Sequence, residues 1–211
     1  MSLDKQQILN WINECNLTFA RERDHLTQLD ADIGDADHGL NMNRGFERVA
    51  EKLPAVAEQS MSTLLKTVGM TLLSSVGGAS GPLYGTFFIR AASAVDGKES
   101  LSATDFAKLL GAGVDGVVAR GKAQPGDKTM CDLWWPVVEA ANQAAEQGKS
   151  ISQMLPQLTE IADEAVVSTI GMRAKKGRAS YLGERSVGHQ DPGATSSMMM
   201  VHALNQVVQG S

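Results

Sequence analysis

Apolar side chains recur at three- and four-residue intervals along almost the whole chain, and runs that alternate every second residue are scarce. That spacing predicts helices. A first covers about 4–25, with Ile8, Leu9, Ile12 and Phe19 on one face. A second starts near His38 and stops before Pro54, a third covers 61–76 and a fourth 83–95. The fifth follows the capping sequence Ser102-Ala103-Thr104-Asp105 and runs to Arg120. The sixth spans 129–146, the seventh 151–175 and the eighth 194–208.

The connections between them fall into two kinds. Segments 54–60, 96–100 and 147–150 are short, polar links. Those after the first, third, fifth and seventh helices are rich in Gly, Asp, Ser, Pro and basic residues. In an up-and-down bundle every odd-to-even connection lies at the same end. The four unusual segments therefore converge on one rim, and a site is expected there.

Composition narrows the classes of function. The 211 residues, 43% of them hydrophobic, are enough for one sizeable core, and the chain reads as a single domain over 1–211. A net charge of −5 argues against bulk attraction to nucleic acid. Cys15 and Cys131 stand in no CxxC pair, as in a reduced, cytoplasmic protein. The N-terminus has no continuous apolar leader and no stretch is long enough to cross a bilayer, so neither membrane nor secretion is expected. Met198 to Met200 read as core, His25 and His202 as surface or core positions, and Trp134 and Trp135 as packing near the rim.

The chemistry sits in the connections. Leu29 to Gly39 carries four carboxylates, Asp30, Asp32, Asp35 and Asp37. Such crowding is repulsive unless a hard cation offsets it, and oxygen ligands suit Mg²⁺ or Ca²⁺. A solvated acidic turn is the competing reading. An EF-hand fits poorly, because counting from Asp30 puts Asp35 at the glycine position and Asn41 at the glutamate position. Ser74 to Pro82 is a glycine- and serine-rich corner that reads equally as a phosphate cradle or as an ordinary tight turn. Gly116 to Lys122 satisfies half of a P-loop pattern, yet Ala123 replaces the metal-binding hydroxyl and the preceding segment is helical, so that reading fails. Segment 175–193 is long for a structureless link and offers Arg178 and Arg185 to phosphate; it reads as a functional lid or as a disordered basic loop.

Four motifs in these segments, IGDADHGLNMNRG (33–45), GGASGPLYGTFF (77–88), PGDKTMCD (125–132) and GRASYLGERSVGHQDPGA (177–194), closely resemble the ADP-binding L subunit of phosphotransferase-dependent dihydroxyacetone kinases. The resemblance runs over essentially the whole chain. It implies an all-α fold, a closed antiparallel barrel of about eight up-and-down helices, with ADP and two Mg²⁺ at one end. It implies Asp30, Asp35 and Asp37 as metal ligands, with Asp32 outside the set. His38, Gly39, Leu40, Asn41, Ala79, Ser80, Gly121, Met130, Arg178, Asp191, Pro192 and Gly193 are then expected to line the nucleotide, and Arg178 to steady the transferring phosphoryl group. Ala36 stands where many members of the family have glycine. In such a family ADP is a bound coenzyme: a phosphohistidine protein of the phosphotransferase system converts it to ATP in place, and the phosphoryl group passes to dihydroxyacetone on a separate K subunit. ATP-dependent relatives fuse both domains in one longer chain, and a chain with the L part alone points to the phosphotransferase version. The alternatives are an L-type subunit serving another acceptor, or a regulatory protein that binds nucleotide without turnover.

Overall fold

The structure, a computed structural model, describes residues 2–210. The helices among them are α1 (Lys5–Arg21), α2 (Arg23–Ile33), α3 (His38–Val56), α4 (Met61–Ser75), α5 (Ser80–Ala94), α6 (Ala103–Gly121), α7 (Met130–Glu146), α8 (Ile151–Ser168) and α9 (Pro192–Gln209). Four of them start at reciprocal capping boxes, in which the cap side chain accepts from the third residue and that residue's side chain accepts from the cap: Asp4 with Gln7, Ser102 with Asp105, Thr129 with Asp132 and Ser150 with Gln153. These pairs satisfy the N–H groups that a helix start leaves without partners.

Each helix packs on the next, and α9 closes the ring by packing on both α1 and α2. Those two form one rod bent at Glu22 (φ −93°, ψ 6°), so the ring has eight antiparallel members. A short antiparallel pairing of Leu3–Asp4 with Ser100–Leu101 fastens the N-terminus. Inside, Trp11, Phe46, Phe87 and Phe88 form a chain of tilted and edge-on aromatic contacts, and the Trp11 indole N–H donates to Met200 O at 2.8 Å. No helix among the described residues is long and apolar enough to cross a membrane.

Four boundaries differ from the periodicity: α3 runs through Pro54 to Val56, and three others differ for local reasons. The first helix ends at Arg21, and α2 carries on to Ile33 because Leu26, Leu29 and Ile33 keep the helical spacing. Asp30 and Asp32 thus stand on a helix and not in a loop. Pro82 lies in the first turn of α5, where its missing N–H costs little, so that helix begins at Ser80. The seventh predicted helix stops at Ser168. Its next carbonyls and hydroxyls are taken by the following segment, Gly188 N–H donating to Ile170 O and Asp191 N–H to Thr169 Oγ1. Trp134 lies a turn below the rim and stacks on Phe87 (centroids 5.1 Å apart), because it shares the buried stripe of Met130, Val137 and Ala141. Met199 and Met200 are core, and His25 and His202 are exposed.

Helices α4 and α5 approach each other closely at a pair of glycines, Gly69 and Gly85. At Gly69 of α4, an added Cβ would lie 2.7 Å from the Gly85 carbonyl oxygen and 2.7 Å from Ile89 Cγ1 of α5. Gly69→Ala therefore pushes the two backbones apart. We expect it to cost about 1–2 kcal/mol despite alanine's better helix propensity, lowering the melting temperature by roughly 3–6 °C. Thermal unfolding checks this, and an unchanged or raised melting point contradicts the close contact.

Candidate active site

All four glycine-, acid- and base-rich connections meet round one cavity of about 420 Å³. That volume lies within the range of small-molecule sites. Its lining includes an apolar group, Pro82, Leu83, Val117, Ala123 and Met130, and a charged group, Asp30, Asp35 and Asp37 with Arg178.

The carboxylates come together through local backbone devices. Asp30 reaches from the last turns of α2, where its Oδ2 accepts from Asp37 N (2.8 Å) and His38 N (3.1 Å) and so caps the start of α3 from outside. Gly34 is required by this fold-back, since a Cβ there would overlap the Asp30 carboxylate. Ala36 takes a left-handed conformation (φ 60°), which glycine adopts at no steric cost. One oxygen each from Asp30, Asp35 and Asp37 then lies within 4.8 Å of the others. Burial first, and then the Asp35 charge, push the Asp37 carboxyl above its ordinary range. Arg178 Nε meets Asp35 Oδ2 at 2.6 Å. Asp32 is outside the group, with His189 Nδ1 3.7 Å from its carboxylate.

Of the positions expected round a nucleotide, His38, Ala79, Ser80, Gly121, Met130, Arg178, Asp191, Pro192 and Gly193 line the cavity. Gly39, Leu40 and Asn41 stand off its wall. Gly39 is packed on Arg23 O and Thr27 of α2, Leu40 is 52% exposed, and the Asn41 side chain accepts from Arg44 Nη2 at 2.8 Å. Successive helical residues point about 100° apart, so Gly39 and Leu40 cannot share the face of His38, whereas Asn41, three residues on, hydrogen-bonds the Asp37 carboxylate.

Beneath the cavity lies a buried polar network that periodicity conceals. His38 Nδ1 is 3.0 Å from Ser80 Oγ and its Nε2 is 2.8 Å from Ser196 Oγ, while the Tyr84 hydroxyl is 2.6 Å from Ser196 Oγ and 2.8 Å from Ser197 Oγ. The only trace in the sequence is a pair of serines on an otherwise apolar stripe of the last helix. Asp191 caps α9 by accepting from Ala194 N at 2.7 Å, and burial pushes its carboxyl up to about 7. Lys128, unremarked in the third segment, is buried in the cavity wall.

The chain itself matches a known family. The model of the DAK2 domain matches residues 32–206. The chain belongs to the DAK2 domain family. It is 59% identical over 204 residues to the "PEP-dependent dihydroxyacetone kinase, ADP-binding subunit DhaL" of Escherichia coli (strain K12), covering 97% of each chain. It is 38% identical to the "PTS-dependent dihydroxyacetone kinase, ADP-binding subunit DhaL" of Lactococcus lactis subsp. lactis (strain IL1403), covering 95% of this chain and 96% of the other. The crystal structure of the dihydroxyacetone kinase of C. freundii (native form) superposes with a TM-score of 0.71 at 25% identity, over 93% of this chain and 33% of that one. The all-α ring is thus the DAK2 fold.

Burial of His38 in this DAK2 domain has a measurable consequence. Desolvation holds its imidazole down to about 4 against the ordinary 6.5. As pH falls, the unfolded chain takes up a proton at this position first. Stability from His38 is therefore intact above about pH 6.5 and lost between there and about 4, amounting to about 3 kcal/mol in full. Imidazole proton shifts should show His38 neutral from pH 8 to 5, and titration near 6.5 contradicts the burial.

Proposed function

We propose that this chain is the ADP-holding subunit of a phosphotransferase-dependent dihydroxyacetone kinase, working with a dihydroxyacetone-binding K subunit and a phosphotransferase-type phospho-donor. The observation that carries this reading is the meeting of Asp30, Asp35 and Asp37 in a cavity whose lining also holds a group of apolar residues. A nucleoside diphosphate has the matching asymmetry, an aromatic base at one end and a dense anion at the other. The names of the E. coli and Lactococcus relatives support the assignment of nucleotide and of pathway.

The donor set fits Mg²⁺, which takes carboxylate oxygens and keeps company with phosphates. Two such ions held by Asp30, Asp35 and Asp37 would supply the positive charge that lets diphosphate approach three carboxylates. ADP held there would accept a phosphoryl group from the donor protein and hand it to dihydroxyacetone on the K subunit. The chain's own residues bind and orient. Pro82, Leu83, Val117 and Met130 offer an apolar slot for the base. Backbone N–H groups of Ala79 and Ser80 stand at the start of α5, where the helix dipole favours phosphate. Arg178 reaches in from the long connection on a side chain 70% exposed and offers a planar donor to the transferring phosphoryl group. No side chain serves as covalent nucleophile, since phosphoryl transfer is mainly positioning and charge stabilisation.

Ligand assignment is tested by three substitutions assayed with K subunit and phospho-donor. Asp35→Asn and Asp37→Asn each remove an anionic ligand and should abolish formation of dihydroxyacetone phosphate and weaken ADP retention. Asp32→Asn, with its carboxylate outside the group, should keep most of the activity. Equal damage from Asp32→Asn and Asp35→Asn overturns the assignment.

A further inference from the structure

Lysine is among the residues least often buried, yet Lys128 is only 2% exposed. Its ammonium donates to three main-chain carbonyls: Met172 O at 3.1 Å, Ser186 O at 2.7 Å and His189 O. An ammonium has three N–H groups, so these bonds use them all and leave none for a phosphate. All three acceptors belong to the connection from α8 to α9. That segment carries Lys176 to Ala179 across the cavity and delivers Arg178 to Asp35. The adjoining Asp127 adds a fourth tie, its carbonyl accepting from Lys175 N at 3.0 Å.

The choice of residue is informative. A methionine of similar length would fill the same space without the cost of burying a charge. Burial does pull the Lys128 amine below the ordinary lysine range, with the Asp191 carboxylate pulling the other way. What the ammonium adds is direction, because one atom fixes three points of a segment that has only short 3₁₀ turns of its own, at Thr169–Gly171 and Arg178–Ser186. The backbone of Lys128 is held left-handed (φ 63°), which turns the chain sharply just before the Thr129 cap of α7.

We propose that Lys128 is a positioning residue: it pins the 172–190 connection over the cavity and thereby sets where Arg178 stands. The anchoring follows from the geometry alone. Its consequence for phosphoryl transfer rests on the function proposed above.

Amide hydrogen exchange on the full chain without ligand tests the anchoring. Lys128→Met should speed exchange of the Ala174, Lys175, Gly188 and Asp191 amides, each bonded within this part of the fold, by at least about tenfold, and leave the α4 and α5 core amides unchanged. Should Lys128→Met not fold, Lys128→Gln, which keeps two donors, is read the same way with a smaller rise expected. Unchanged exchange, or a rise spread evenly over the helical core, overturns the proposal. In the assay with K subunit and phospho-donor, the loss should fall on kcat, with the KM for dihydroxyacetone nearly unchanged and Mg-ADP leaving faster. Weakened ADP binding with unaltered exchange would make Lys128 a direct phosphate ligand and also overturns it. If the unaltered chain binds no ADP, the functional reading fails while the exchange result still decides the anchoring.

Discussion

Like charges brought together at the end of a helix bundle raise the energy of the fold unless something of opposite sign joins them. The oxygens of Asp30, Asp35 and Asp37 lie within 4.8 Å of one another, and much of the rim is arranged around that repulsion. Asp30 offsets part of its charge against two backbone N–H groups at the start of α3. Asp35 offsets part against Arg178, and Asp37, left with burial and its neighbours, holds its proton more tightly than a free carboxylate. On the function proposed above, cations would join this cluster and a polyanion would follow them, oriented by the apolar residues of the same lining.

The same contacts tie the site to the fold. One oxygen of Asp30 caps α3, so whatever occupies the cluster touches the helix start directly, and through His38 the Ser80–Ser196–Tyr84 network that joins α3, α5 and α9. On the far side, the Arg178 segment is carried by Lys128 from the connection between α6 and α7. All four connections are therefore coupled round the cavity by hydrogen bonds or ion pairs and not by proximity alone.

The ring and its active end were legible because both rest on periodicity and composition. Apolar spacing marks the helices, and the alternation of plain and unusual links places the site. Reciprocal caps such as Ser102 with Asp105 mark starts closely. What stayed hidden has a common cause. Asp30 and Asp32 look like loop residues because carboxylates at a helix C-terminus oppose the dipole, yet the buried stripe through Leu26 and Ile33 overrides that local preference. Lys128 finds carbonyls 44, 58 and 61 residues away, and nothing adjacent to it predicts them. The motif 38–41 reads as one binding unit, but in α3 His38 lines the cavity while Gly39 packs inward and Leu40 faces solvent.

On the proposed function, the carboxylate cluster repels a nucleotide by itself and attracts it when a divalent cation is bound. Calorimetric titration of ADP into nucleotide-stripped protein, with and without Mg²⁺, measures this coupling directly. Mg²⁺ should tighten ADP binding at least tenfold, and ADP should tighten Mg²⁺ binding by the same factor, as linkage requires. ADP affinity that is equal in the presence of chelator and of Mg²⁺ would contradict it.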